Sequence, residues 1–184
     1  MPADVSLWWI GADAADDRLM ETIRERTAAT FGIQTRVFHH AERPYHAFDP
    51  KRGQHSSTAI LKWLVERQHA GRRVLAITDV DLFIPVLTFV YGEAQLGGLA
   101  AVVSTARLAL AADGRVTAAV AADRLLKECV HELGHCFGLL HCDRSTCVMA
   151  RSVNLVEVDS KTPVLCDTCE ARFRELRKKD RPHE

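Results

Sequence analysis

The chain has 184 residues, enough for one domain with a substantial core. Hydrophobic residues make up 47% and charged residues 26%, the balance of an ordinary globular protein and not of a disordered or fibrous chain. Lys plus Arg equals Asp plus Glu at 24 each, so no overall charge bias draws the chain to nucleic acid or to a membrane surface.

The first residues, MPADVSLWWIGADAADD, lack the basic flank and long apolar stretch of a signal peptide. No apolar run approaches the roughly 20 residues that cross a bilayer. A cytoplasmic protein with reduced thiols is the expectation, without nucleic-acid or membrane partners. VSLWWIG (residues 5–11) is a short apolar run closed by glycine and predicts a buried strand. In ADDRLMETIRERTAATFG, Leu19, Ile23 and Thr27 recur at helical spacing, and Gly32 supplies a C-cap. IQTRVF predicts a second strand, and the polar stretch YHAFDPKRGQHS, with Pro50 and Gly53, predicts a loop. SSTAILKWLVERQHAG predicts a helix, with apolar Ile60, Leu61, Leu64 and Val65 and with Gly71 at its end. RRVLAITDVDLF predicts a third strand that runs into a loop. Alternation of strand and helix with short connections predicts an α/β sheet with helices packed on it.

VLTFVYGEA and GGLAAVVSTARL are two further strand-prone runs, joined at Gly97 and Gly98. After ADG (residues 112–114) a long helix is predicted, with Ala119, Ala122, Leu126, Val130, Leu133 and Phe137 on one stripe. From Cys142 onward apolar residues thin out until the charged, helix-prone ending EARFRELRKKDRPHE, which reads as a solvated helix or a basic patch for a partner. The expectation is one domain in two parts, residues 1–138 and a smaller irregular part, 139–184.

The helix carries the chemistry. His131 and His135 are four residues apart, so they project one turn apart on one side, roughly opposite the apolar stripe. Gly138 can take positive φ, end the helix and return His141 toward the same point. Three imidazoles can hold one zinc and leave a fourth position for water, the arrangement of a catalytic site. Glu132 follows the first ligand and can serve as general base without binding the ion. Five residue types fixed over eleven positions make the signal specific. His39, His40, His46, His55 and His69 lack such spacing and read as ordinary surface or core histidines. Glu128, three residues before His131, reads as a surface carboxylate or as a hydrogen-bond partner of a ligand imidazole.

Five of the six cysteines lie after residue 130. Cys142 and Cys147 form one close pair and Cys166 and Cys169 another, the pattern of a closed tetrahedral zinc site with four thiolate ligands. Such a site would supply folding free energy to a segment too poor in apolar residues to form its own core. Free buried thiols are the alternative for these four; for Cys129 and Cys136 packed thiols are the preferred reading.

HELGHCFGLLHC, followed after four residues by CVM and then by CDTC, resembles the archaemetzincins, a branch of the metzincin zinc metalloproteases. The family's spacing from the methionine to CxxC is about seventeen residues, and here it is one shorter. The resemblance covers roughly residues 131–169; TDVDLF, FVYGEA and VVSTARL are less diagnostic. It implies a metzincin-like α/β fold: a twisted, mostly parallel sheet with an active-site helix and a small zinc-stabilised C-terminal subdomain across a cleft. It implies two zinc ions, one on His131, His135 and His141 and one on the four cysteines. It makes Met149 the Met-turn methionine beneath the catalytic ion, where sequence alone reads core. By the same resemblance, an edge strand around GLAAVVST would bind extended peptide by strand addition. A monomeric peptidase acting on peptide or protein substrate is the leading expectation, and a zinc-stabilised binding module with little turnover is the alternative. No pro-segment is evident in the sequence, so no covalent latency device is expected.

Overall fold

The computed structural model describes residues 4–11, 14–39, 42–67, 73–111 and 114–179. In chain order its strands are β1 (Val5–Trp9), β2 (Thr35–His39), β3 (Phe48–Asp49), β4 (Gln54–Ser56), β5 (Arg73–Thr78), β6 (Leu82–Phe83), β7 (Gly92–Ala94) and β8 (Ala100–Ser104), with a minor hairpin after β8. Its helices are α1 (Asp17–Phe31), α2 (Ser57–Arg67), α3 (Ala118–Cys136), α4 (Leu155–Ser160) and α5 (Asp167–Lys179).

Period-two alternation in the apolar strands sorts the core into two layers. Val5 and Leu7 of β1, Leu75 and Ile77 of β5, and Ala101 and Val103 of β8 face α1 and α3. Their neighbours Trp8, Val74, Ala76, Ala100 and Val102 face α2, where Ile60, Leu61, Trp63 and Leu64 cover them. A sheet buried on both faces is the setting for parallel strands. The order is β2-β1-β5-β8-β7, and every pairing is parallel except β7 with β8. The predicted mixed α/β architecture with a mostly parallel sheet is therefore present.

Local signals account for most boundaries. Asp16 caps α1 by accepting from the Leu19 N–H, and Gly32 ends the helix in the left-handed region. Thr117 caps α3 by accepting from Val120. Gly71, the predicted end of α2, lies outside the described residues.

Two predictions need correction. The stretch expected to be a loop before α2 holds a one-turn 3-10 helix, Tyr45–Ala47, and strands β3 and β4. Pro50 and Gly53 mark a tight turn there, with Asp49 Oδ1 accepting from the Lys51 N–H, and β4 joins β6 in a second small sheet. The strand GLAAVVST is not an edge: β8 is interior, and the edge strand beside α3 is the short antiparallel β7.

The C-terminal segment wraps the helix that carries the histidines. Arg124 on α3 donates both arms of its guanidinium to Asp159 on α4, at 2.6 and 2.7 Å, and also to the carbonyls of Leu108 and Leu110. Lys161 reaches Glu128 at 3.4 Å with both side chains buried. Helix α3 is thus enclosed on all sides from Arg124 to Gly134, where the sequence suggested one apolar and one open face. Helix α5 is not solvated all round either. Its Phe173 joins Phe31 and Phe137 with ring centroids 5.1–5.2 Å apart, while Arg73 lies 4.6 Å over Phe137 and donates to the carbonyl of Cys136 at the end of α3. Among the described residues no helix is long and apolar enough to cross a membrane.

Phe173 is the buried anchor of α5. Phe173→Ala is expected to lower stability by about 3–5 kcal/mol, the usual cost of removing a buried phenyl ring, measured as a shift in the denaturant midpoint.

Candidate metal centre and active-site cleft

Helix α3 stops at a glycine turn. Gly138 has φ 89°, its N–H returns to the His135 carbonyl at 2.8 Å, and the Leu139 N–H returns to Gly134 at 3.0 Å. A side chain at that φ would be strained, so glycine lets the chain reverse and bring His141 back to His131 and His135. The ring centroids of the three imidazoles lie 4.6–5.3 Å apart.

Backbone carbonyls fix two of these rings. Nδ1 of His131 lies 2.8 Å from the carbonyl of Val148, and Nδ1 of His135 lies 2.7 Å from that of Leu139. A carbonyl only accepts, so each Nδ1 carries the proton and each Nε2 presents a lone pair. The two Nε2 atoms are 3.0 Å apart. Two facing lone pairs at that distance repel unless a cation lies between them. Nitrogens about 2.1 Å from a tetrahedral zinc sit about 3.4 Å apart, so the pair fits that ion after a small adjustment. Burial first, then Lys161 and His135, depresses the His131 pKa well below the ordinary imidazole value. The His135 and His141 values are lowered as well, chiefly by burial, so the cluster is poised to bind a metal and not a proton.

Glu132 is buried beside this cluster. Burial, with Glu128 and Glu93 behind it, pushes its pKa well above the usual carboxylate range. It sits against β7, where a Cβ on Gly92 would fall 2.7 Å from Glu132 Cγ and 2.8 Å from the Val102 carbonyl. A second glycine shapes the floor. A Cβ on Gly134 would lie 2.5 Å from the sulfur of Met149, which is fully buried beneath the helix.

The four cysteines converge separately. Cys142 and Cys166 are 3.8 Å apart at sulfur, as are Cys147 and Cys169. A disulfide would need about 2.05 Å, whereas sulfurs about 2.3 Å from a tetrahedral zinc lie about 3.8 Å apart. Burial resists ionisation of Cys166, but hydrogen bonds from the Cys169 N–H and the neighbouring thiols prevail and bring its pKa to about 7. Within each of the two clusters, all ligand atoms lie within 4.8 Å of one another. Cys142 also ties the clusters together: it follows His141 in the chain, and its N–H donates to the carbonyl of Met149 at 2.9 Å. Cys129 and Cys136 are buried on α3 and join neither cluster.

A cleft of about 270 Å³ opens over the histidines between residues 87–92 and 151–153. A larger cavity of about 720 Å³ lies between α1 and the start of α3, and no histidine or cysteine of either cluster lines it. Glu128 is not a surface carboxylate and does not hold an imidazole; it is buried against Lys161, and the imidazoles of His131 and His135 are held by carbonyls. His39, His46 and His55 stand outside both clusters, while His40 and His69 lie outside the described residues. Sequence reasoning missed Arg151, Ser152 and Gly92; only Gly92, a glycine inside a strand-prone run, carried a signal of close approach.

Comparison with known proteins assigns the class. Residues 25–175 match peptidase family M54. The archaemetzincin of Methanopyrus kandleri is 44% identical over 129 residues, covering 70% of this chain and 71% of that protein. The archaemetzincin of Haloquadratum walsbyi is 41% identical over 153 residues, covering 79% and 88%. The crystal structure of the M. kandleri protein superposes with a TM-score of 0.82 at 35% identity, covering 95% of this chain and 96% of that one. A zinc-dependent peptidase from Methanocorpusculum labreanum superposes with a TM-score of 0.80 at 26% identity, covering 92% and 99%. The class defined by fold and sequence is that of the zinc metallopeptidases. Within it, the chain belongs to the archaemetzincins, peptidase family M54.

The depressed imidazole pKa values have a consequence for the metal-free protein. A histidine held neutral in the fold titrates near 6.5 once unfolded, so below that pH the unfolded chain binds more protons. Stability of the metal-free form is expected to hold above about pH 6.5 and to fall as pH drops below it. His131 alone contributes a slope of at most about 1.4 kcal/mol per pH unit, readable from denaturant titrations at about pH 7.5 and 5.5 in chelator.

Proposed function

We propose that this chain hydrolyses peptide bonds at a zinc ion held by His131, His135 and His141, with Glu132 as general base. The observation that carries this reading is the pair of Nε2 lone pairs 3.0 Å apart, each fixed by a carbonyl behind it, next to a carboxylate that is not part of the ligand set. The donor set fits zinc: three neutral imidazoles at a cleft wall leave a coordination position facing the cavity. Bound there, zinc would polarise a peptide carbonyl and lower the pKa of a coordinated water.

The protein's own groups do the rest. Glu132, against Gly92 and at the cleft, takes a proton there and returns it to the departing amine. Its pKa, raised by burial, favours holding that proton between the two transfers. The edge strand β7 borders the cleft at Gly92 and offers its backbone to an extended peptide. Met149 acts as the Met-turn residue, an apolar floor that fixes the height of the helix and does not ligate.

A second zinc on Cys142, Cys147, Cys166 and Cys169 is the structural ion of this reading, giving two per chain. Residues 139–184 then form a zinc-stabilised C-terminal part beside the α/β part, residues 1–138, in the metzincin manner.

Two experiments test this. Glu132→Gln is expected to lower peptide hydrolysis by about 10²–10⁴ while zinc content stays at the wild-type value; full retention of activity would remove Glu132 from its role. Cys166→Ser is expected to reduce zinc in the histidine site and hydrolysis together, because Cys142 is next to His141 and bonded to Met149. Metal analysis and turnover unchanged in that variant would separate the two sites.

A further inference from the structure

The cavity of about 720 Å³ between α1 and the start of α3 shares no lining residue with the cleft over the histidines. Its place follows from the order of the sheet. From β1 the chain crosses through α1 to β2 on one side; from β2 it crosses through α2 to β5, on the other side of β1. Helices α1 and α2 cover opposite faces of the sheet. The two crossovers therefore part between β1 and β5, and a sheet of this strand order leaves a crevice there, at the carboxyl ends of the strands, where such folds bind small ligands. Trp9, the last residue of β1, lines the cavity, as do Ile77 near the end of β5 and Asp79 just past it.

The volume falls within the range of small-molecule sites, roughly 300–1,000 Å³. The walls are mostly apolar, with Leu19 and Met20 from α1 and four alanines from the first turns of α3. The polar groups are chiefly acceptors. Thr22 donates its hydroxyl proton to the carbonyl of Arg18 at 2.9 Å, and Thr105 donates to that of Thr78 at 3.3 Å, so both hydroxyls keep only lone pairs for a ligand. Two carboxylates, Asp16 and Asp79, stand against one guanidinium, the exposed Arg18. Asp79 and Trp9 converge on one spot: a Cβ on Gly11 would fall 2.4 Å from the Trp9 ring and 3.0 Å from Asp79 Cγ. A carboxylate has about four acceptor positions, so contacts within the fold leave Asp79 capacity for a ligand. A carboxylate beside an indole, in a mostly apolar cavity, matches an ammonium group on an apolar body.

We propose that this cavity is a ligand site separate from the metal centre and that it takes a small organic amine, with the protonated nitrogen at Asp79 and Trp9 and the apolar body against Met20 and the alanines. The site does not depend on the peptidase reading. Helix α3 serves the two places with different turns, its first for the cavity and its last for the histidines.

The test titrates the zinc-loaded protein with three probes of one shape, tryptamine, the alcohol tryptophol and the acid indolepropionate, by isothermal calorimetry. Tryptamine is expected to bind about tenfold tighter than tryptophol, and indolepropionate to bind most weakly. Asp79→Asn should bring tryptamine down to the affinity of tryptophol and leave tryptophol unchanged. Ala122→Phe sets a ring into the cavity from a half-buried position on α3. It should abolish binding of tryptamine and tryptophol while zinc content and the unfolding midpoint stay near wild type. Absence of saturable tryptamine binding below about 1 mM, or equal affinity for amine and alcohol, overturns the site. So does tryptamine binding that persists in Ala122→Phe, which would place the amine elsewhere, at the metal centre for instance. Should Asp79→Asn fail to fold, the amine preference of wild type and its loss in Ala122→Phe decide the outcome.

Discussion

Two imidazole lone pairs facing each other at 3.0 Å are the constraint around which the rest of the structure is arranged. Left to themselves they would rotate apart or capture a proton. Rotation is blocked because each ring donates its other N–H to a carbonyl: Val148 from the segment after the helix, and Leu139 from the turn that ends it. Protonation is opposed by burial and by Lys161. What remains is a cavity of electron pairs that a cation satisfies, and the fold has to hold it against its own repulsion.

The burial of α3 on every side from Arg124 to Gly134 follows from that need. An amphipathic helix resting on a sheet is free to tilt or roll on its open face. Here Arg124 and Lys161 tie that face to the chain around α4, and Arg73 closes its end from β5. Neither pair is a large source of net stability: Lys161–Glu128 is buried, so desolvation offsets most of its attraction, and Asp159, the partner of Arg124, is open to solvent that screens it. Their value in this position is directional: each pair permits one placement of α4 and the adjoining chain against the helix, and that chain carries Val148 and Met149. The aromatic trio of Phe31, Phe137 and Phe173 does the equivalent for α5, which delivers Cys169.

The sequence revealed what depends on spacing along the chain. Period two in β1, β5 and β8 and period 3.6 in α1 and α3 give an α/β sheet, and the intervals within HELGHCFGLLH and among the four cysteines bring each set together. It did not reveal what depends on contacts between distant segments. Glu128 looked solvated because its partner Lys161 is thirty-three residues away, and nothing local announces that pairing. The edge strand was misplaced for a related reason. β8 is the more apolar run and the better strand on propensity, yet it is interior because β7 folds back antiparallel outside it. The turn at residues 49–53 looked like a loop because strands of two or three residues leave no periodicity to read.

Gly92 and Gly134 show how closely the site is fitted. Each lacks a side chain where a single methyl would collide with a neighbour: the stem of Glu132 in one case, the sulfur of Met149 in the other. Glu132 and the two helical histidines occupy one turn of one helix, so their mutual placement is set by helical geometry and needs no further help. Their height above the floor and distance from the edge strand are not set by that geometry. Those two dimensions are fixed by the missing side chains, which let Met149 rise into the helix from below and let β7 close on Glu132 from the flank. The histidine cluster on this helix therefore depends on two absences as much as on its own side chains, because close-packed interiors transmit a displacement of a few tenths of an ångström instead of absorbing it.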